Sequence, residues 1–181
     1  MDRQRRAGDC MAACLANRKG RAAPQVHHVP PHCSRPPCYA SRIMQVEHGI
    51  LVQAPAERVF RIYENVAAWH TWDPDTKRAS LEGPFAVGTR GSLTPAKGNT
   101  VPMLLTQVER NACFTVESRI PLFRMVFEHE LVPQGDAVKA IHRVTFAGPL
   151  SFLLGRMLVK QLNQGLPVTL AGLKRLAESA A

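Results

Sequence analysis

The chain has 181 residues, 45% of them apolar, enough for one domain with a core of its own. No apolar run reaches the roughly 18 residues that a membrane-crossing helix needs, so none is expected. The net charge of +9 is uneven: residues 1–43 hold eight Arg/Lys against two acids, and residues 44–181 hold 15 against 12. The basic character sits mostly ahead of residue 44, and a specific nucleic-acid partner is not expected.

Residues 1–43 are rich in Arg, Ala, Pro, His and Cys and carry no helical or strand period. Pro30, Pro31, Pro36 and Pro37 oppose regular structure. The segment reads as an extension without regular structure, or as residues translated ahead of a start at Met44. It lacks the apolar core of a secretory signal. Cys10, Cys14, His27, His28, His32, Cys33 and Cys38 are zinc-ligand types, but the spacings C-x3-C and C-x4-C lack a C-x2-C pair. No metal site is assigned and no cofactor is expected. Only Cys113 lies in the remaining domain, residues 44–181. A disulfide framework is therefore not expected, and a reducing, cytoplasmic location is.

From Met44 the pattern changes. Val46, His48, Ile50 and Val52 alternate with Glu47, Gly49, Leu51 and Gln53, a first strand. Pro55 suits the first turn of a helix over Ala56–Asn65, with Val59, Phe60 and Tyr63 on one face. A short helix follows, on which Trp69 and Trp72 share a face, closed by Asp73-Pro74. Both tryptophans of the chain lie here, a lid or plug on whatever sheet follows. Strands are predicted near 77–82, 88–95, 100–109, 112–120, 122–132 and 137–147, separated by Gly, Pro and Asn signals. The chain closes with a long apolar-periodic stretch, Pro149–Ala181. Leu150, Leu154, Met157, Leu158, Leu162, Leu173 and Leu176 form its stripe, and Gly165 continues the seam. Arg156, Lys160, Lys174 and Arg175 fall mostly off it. Pro167 predicts a kink near 163–167 or two helices in series.

This order, strand, two short helices, six strands, long helix, predicts an α+β architecture in which a curved antiparallel sheet of about seven strands closes round the last helix. It resembles the helix-grip fold of the START-related (SRPBCC) superfamily, which includes polyketide cyclases and dehydrases. Ala54-Pro-Ala-Glu-Arg-Val-Phe60, Asn65-Val-Ala-Ala-Trp-His-Thr-Trp-Asp-Pro74 and Gly83-Pro-Phe-Ala-Val-Gly-Thr-Arg-Gly91 carry the likeness, which covers residues 44–180 and none of the basic segment. The superfamily runs from lipid carriers to cyclases, so the resemblance implies a fold more than a chemistry.

A sheet curved round a helix leaves a concavity, and a cavity lined by inward side chains is expected. The hairpin 122–147 is the most informative piece. Met125, Phe127 and His129 share one face of its first strand, and His142, Val144 and Phe146 one face of its second. The charged sets oppose them and face water. His129 and His142 stand equal steps from a two-residue Gly135-Asp136 turn, which makes them direct cross-strand neighbours. Two imidazoles in an apolar cavity can act as acid and base or polarise a ligand carbonyl. The plainer alternative is that each bonds to a backbone carbonyl, a water or a nearby Tyr.

The rest of the expected lining is apolar. Phe114, Val116, Ser118 and Ile120 form the inward face of one strand, with Met103 and Leu105 on the strand before it. Trp69 and Trp72 cover the space with Met157, Leu158 and Leu162 of the last helix. Arg90 is placed to meet an acidic ligand group, or simply a surface partner. Cys113 reads as structural. No phosphate loop, H-E-x-x-H or G-x-S-x-G occurs. The functional expectation is a small hydrophobic ligand, polyketide-, quinone- or lipid-like, bound by a monomer or homodimer. A cyclase/dehydrase-type enzyme using His129 and His142 is the alternative. A ribosome- or quinone-associated interaction protein is a third reading.

Overall fold

The computed structural model describes residues 44–179; the zinc-ligand types considered above lie outside them. Seven strands form one antiparallel sheet: β1 (Met44–Val52), β2 (Thr76–Leu81), β3 (Arg90–Pro95), β4 (Val101–Glu109), β5 (Cys113–Ile120), β6 (Phe123–Gln134) and β7 (Ala137–Ala147). Their order is β1-β7-β6-β5-β4-β3-β2, so the first strand closes beside the last. Helix α1 (Ala56–Glu64) and a 3-10 helix (Val66–Thr71) follow β1, and α2 (Ser151–Ser179) ends the chain. This is the helix-grip architecture. The seven strands fall within two or three residues of the predicted ranges.

Local chemistry sets the elements. Arg58 N donates to the carbonyl of Pro55, which starts α1 in extended geometry and needs no N–H of its own there. Val59, Phe60 and Tyr63 then turn one face inward. The tryptophan segment is a 3-10 helix, whose three-residue turn stacks positions three apart, so Trp69 and Trp72 are both buried. The β6–β7 turn is Gly135-Asp136, and Gly135 adopts the positive φ of 65° that such a turn requires. On the outer face Arg143 pairs with Glu47 on β1 at 2.6 Å and approaches Glu128 and Glu130 on β6.

The last helix is continuous, with Pro167 inside it; two helices in series do not form. Its inward line is Gly155, Leu166, Thr169, Leu170, Gly172, Leu173 and Ala177, not the full predicted stripe. Leu154, Leu158 and Leu162 pack partly against the sheet. Met157 and Leu176 lie a helical step off that line and are exposed. Ile120 also corrects the expectation: it sits at the open end of β5 and is exposed.

Two apolar clusters result. One joins α1, the 3-10 helix and the middle of the sheet to Leu170, Leu173 and Ala177 of α2. The other lies under the front half of α2, around Val46, Phe123, Val144, Phe146 and Leu166. Several contacts fix the rear half of α2, two of them made by the tryptophan segment. Asp73 Oδ1 accepts from Thr169 Oγ1 at 2.7 Å, while Asp73 Oδ2 accepts from Thr76 Oγ1 at 2.6 Å. Gly172 lies against the Trp72 carbonyl so closely that a Cβ would collide with that oxygen.

Gly172→Ala should therefore lose about 1–3 kcal/mol, because a backbone oxygen cannot yield and the overlap exceeds the ~1 kcal/mol of helix propensity gained. Gly165→Ala should lose less, since its obstacle is the carboxylate end of Asp75, a side chain that can swing aside. Urea denaturation of the two proteins checks the difference.

Candidate functional site

The interior face of the sheet carries a row of rings. Register places His48 (β1) opposite His142 (β7), His142 opposite His129 (β6), and His129 opposite Phe114 (β5). Direct cross-strand partners share a face, so four strands contribute one continuous row. The two rings singled out from the sequence meet edge to face, centroids 4.5 Å apart. His129 also stacks flat on Phe114 at 4.0 Å.

Tyr63 descends onto this row from α1. It is fully buried, and its hydroxyl is 2.9 Å from His142 Nε2. Its ring packs against Trp72, Phe114, His129 and His142. Trp69 Nε1 donates to the Tyr63 carbonyl at 2.9 Å. The tryptophan segment is thus a plug driven into the concavity. The space expected above His129 and His142 is filled by Tyr63, Trp69, Trp72 and Phe114.

Electrostatics follow from that packing. Burial lowers His142 from an ordinary 6.5 to about 3. Burial also holds His129 well below 6.5, and the neighbouring His142 pushes the same way. Burial raises the Tyr63 phenol, so it keeps its proton. At neutral pH this is an uncharged hydrogen-bonded cluster. Such groups are poorly matched to proton transfer, which works best when the pKa lies near the working pH. His129 is half-buried as a residue, yet its Nδ1 is sealed from solvent and without a hydrogen-bond partner.

The remaining predicted positions divide by place. Met103, Phe114, Val116, Ser118, Val144 and Phe146 are buried on the strands. Ser118 faces Met125 and Val116 faces Phe127 across β5–β6. Met125, Phe127, Leu158 and Leu162 are half-buried members of the cluster under the front half of α2. Arg90 is exposed at the start of β3 and Met157 is exposed on α2, so neither joins that group. Cys113 is buried at the start of β5.

A separate pocket of about 250 Å³ opens between α1, the 3-10 helix and the end of α2, lined by Arg58, Arg61, Ile62, Asn65, Ala68, Trp72 and Leu176. Of the predicted ligand positions, Trp72 alone lines it. No group of His, Cys, Asp and Glu suited to a metal occurs among the described residues.

His48 was the missed member of the row. It shares a face of β1 with Val46, Ile50 and Val52, and only the β1–β7 pairing brings it to His142. Its Nε2 donates to Asn163 Oδ1 at 2.9 Å, because the Asn163 amide nitrogen is already donating to the Val159 carbonyl.

Residues 44–178 match the family described as polyketide cyclase / dehydrase and lipid transport. The chain belongs to this family. Solved structures agree on the fold. A Streptomyces aromatase/cyclase shares 17% identity with a TM-score of 0.62, over 75% of this chain and 94% of that one. Norcoclaurine synthase from Thalictrum flavum, solved with dopamine and hydroxybenzaldehyde, shares 15% identity with a TM-score of 0.60, over 82% and 99%. A Thermus thermophilus protein shares 18% identity with a TM-score of 0.61, over 76% and 99%. A search of curated protein sequences finds no significant match. No described helix of this family member is long and apolar enough to cross a membrane.

Two outcomes test the cluster. Tyr63→Phe should cost about 1–3 kcal/mol by leaving His142 without its partner, read by urea denaturation. Stability should also fall with acid. Both imidazoles are neutral when folded and take up protons near 6.5 when unfolded, so the unfolded chain binds more protons below that pH. The loss should start near pH 6.5 and continue toward about 3 for His142, at up to ~1.4 kcal/mol per pH unit per ring. Denaturation at several pH values between 7.5 and 5 checks it, above the range where carboxylates contribute. His142→Leu should make the slope shallower.

Proposed function

We propose that this protein is a binding module for a small hydrophobic molecule, polyketide-, quinone- or lipid-like, held between the sheet and the front half of α2. The observation that carries the reading is the looseness of the second apolar cluster. Met125, Phe127, Leu150, Leu154, Leu158 and Leu162 are only partly buried there, on a floor made by the closely packed Val144 and Phe146. In a finished core such residues would be sealed. Half-open apolar surface between a helix and a sheet is what a ligand completes. A molecule hiding roughly 300 Å² of apolar area gains about 7 kcal/mol before the cost of immobilising it. Membership of a family described by cyclases, dehydrases and lipid transport supports the same chemistry.

The histidines have a bounded part in this reading. Phe127 packs against both apolar clusters, and His129 follows two residues later on the same face of β6. Its Nδ1 is sealed from solvent beside the Phe114 and Phe127 backbones, so a ligand oxygen would meet it only if Phe127 moved aside. His142 is already bonded to Tyr63 and serves the fold. The rings favour positioning over turnover, because burial takes both out of the titration range useful at neutral pH.

Organic extraction of the purified protein followed by mass spectrometry should release an apolar compound in near-stoichiometric amount. Leu158→Trp and Met125→Trp, which fill the space, should abolish its recovery while leaving the melting temperature unchanged or higher. A protein that releases nothing, and whose melting temperature shows no saturable rise with a fatty acid, a quinone or an aromatic polyketide, would sink the reading.

A further inference from the structure

One end of the molecule leaves large apolar side chains in water. Leu122 at the β5–β6 turn is 62% exposed, and Phe152, Leu153 and Met157 on the first turns of α2 are 70%, 71% and 64% exposed. These are not scattered positions. The Leu150 amide donates to the Leu122 carbonyl at 3.1 Å, which ties the hairpin tip to the start of α2. Leu122 moreover holds a φ of 64°, a left-handed conformation that glycine or asparagine adopts more readily. A leucine kept at such a position, with its side chain in solvent, marks a side chain that is wanted outside.

The surrounding charge has one sign. Arg119 and Arg124 flank the hairpin tip, and Arg156 and Lys160 are interleaved with Phe152, Leu153 and Met157 on the exposed side of α2. The only acid from Cys113 to Phe127 is Glu117, which is buried beneath Arg119 and Arg124 and paired with both. No acid occurs on α2 before Glu178.

We propose that this end docks on an anionic phospholipid bilayer surface. Its apolar side chains would enter the boundary between headgroups and acyl chains, and its four cations would meet lipid phosphates. Charge selects this partner over a second copy of the chain. A two-fold contact would set four cations against four, with Glu117 the one acid of the patch and already shared between Arg119 and Arg124. The surface flanks the loose cluster proposed to hold ligand, but it does not depend on a ligand being bound.

The test is flotation of the full chain with vesicles of phosphatidylcholine alone or mixed with phosphatidylglycerol. Binding to the mixed vesicles, weakened by salt, is expected. Leu122→Ser/Phe152→Ser/Leu153→Ser and Arg156→Glu/Lys160→Glu should each weaken it by roughly tenfold or more. Their melting temperatures should be unchanged, since the altered side chains are exposed. Residues 1–43 stay intact throughout, so equal binding by wild type and variants would assign the attraction to that basic segment and overturn the proposal. Absence of binding would overturn it too, as would light scattering showing a dimer that the serine variant dissociates. Leu158→Trp, expected to lose ligand, should float like wild type, which separates failure here from failure of the ligand reading.

Discussion

The hydrogen bond between Tyr63 and His142 decides how the rest of the domain is assembled. A buried phenol and a buried imidazole each need a partner, and each is satisfied by the other across the gap between α1 and β7. Once Tyr63 is seated, its carbonyl receives the Trp69 indole, which pulls the 3-10 helix over the sheet. The tryptophans then bring Trp72 and Asp73 against α2, where Gly172 and Thr169 meet them. Sheet, short helices and long helix are linked through a run of polar contacts that begins with this one, in an aromatic setting. Its low dielectric makes that contact strong when made and costly when broken.

The same chain of contacts explains why the interior is full at one level and loose at another. Polar fixed points hold the rear half of α2: the Asp73–Thr169 bond, and the Lys174 ammonium on the Leu51 carbonyl at 2.7 Å. Between them Leu170, Leu173 and Ala177 are almost wholly buried. The front half makes chiefly apolar contacts with the sheet, apart from the bond of His48 to Asn163. Pro167 sits at the change from one regime to the other and offers no amide to the Asn163 carbonyl one turn earlier.

Much of this was legible in the residues. Alternation on β6 and β7, with a Gly-Asp turn between them, was enough to place His129 opposite His142, because a hairpin's register follows from its turn. The Trp-x-x-Trp spacing was enough to put both rings on one face. The content of the concavity was not legible. Nothing in local periodicity tells whether Tyr63 reaches the histidines or stops short, and the outcome depends on the angle at which α1 crosses the sheet. His48 was hidden for a related reason, since β1 and β7 meet across almost the whole domain. Asp73 read as a turn residue and proved to serve α2 as well. Met157 failed as a lining residue because the helical stripe was drawn a step too wide.

The uneven seating of α2 has a mechanical consequence. With its rear half pinned by Asp73, Gly172 and Lys174, the front half is moored at fewer points, the Leu150 amide on the Leu122 carbonyl and Asn163 on His48. Strain applied beneath that half would fall on those two moorings and on half-buried apolar contacts, not on the aromatic plug or the outer ion pairs of the sheet. The domain then need not choose between a solid core and an open one, because the two sit at opposite ends of a single helix.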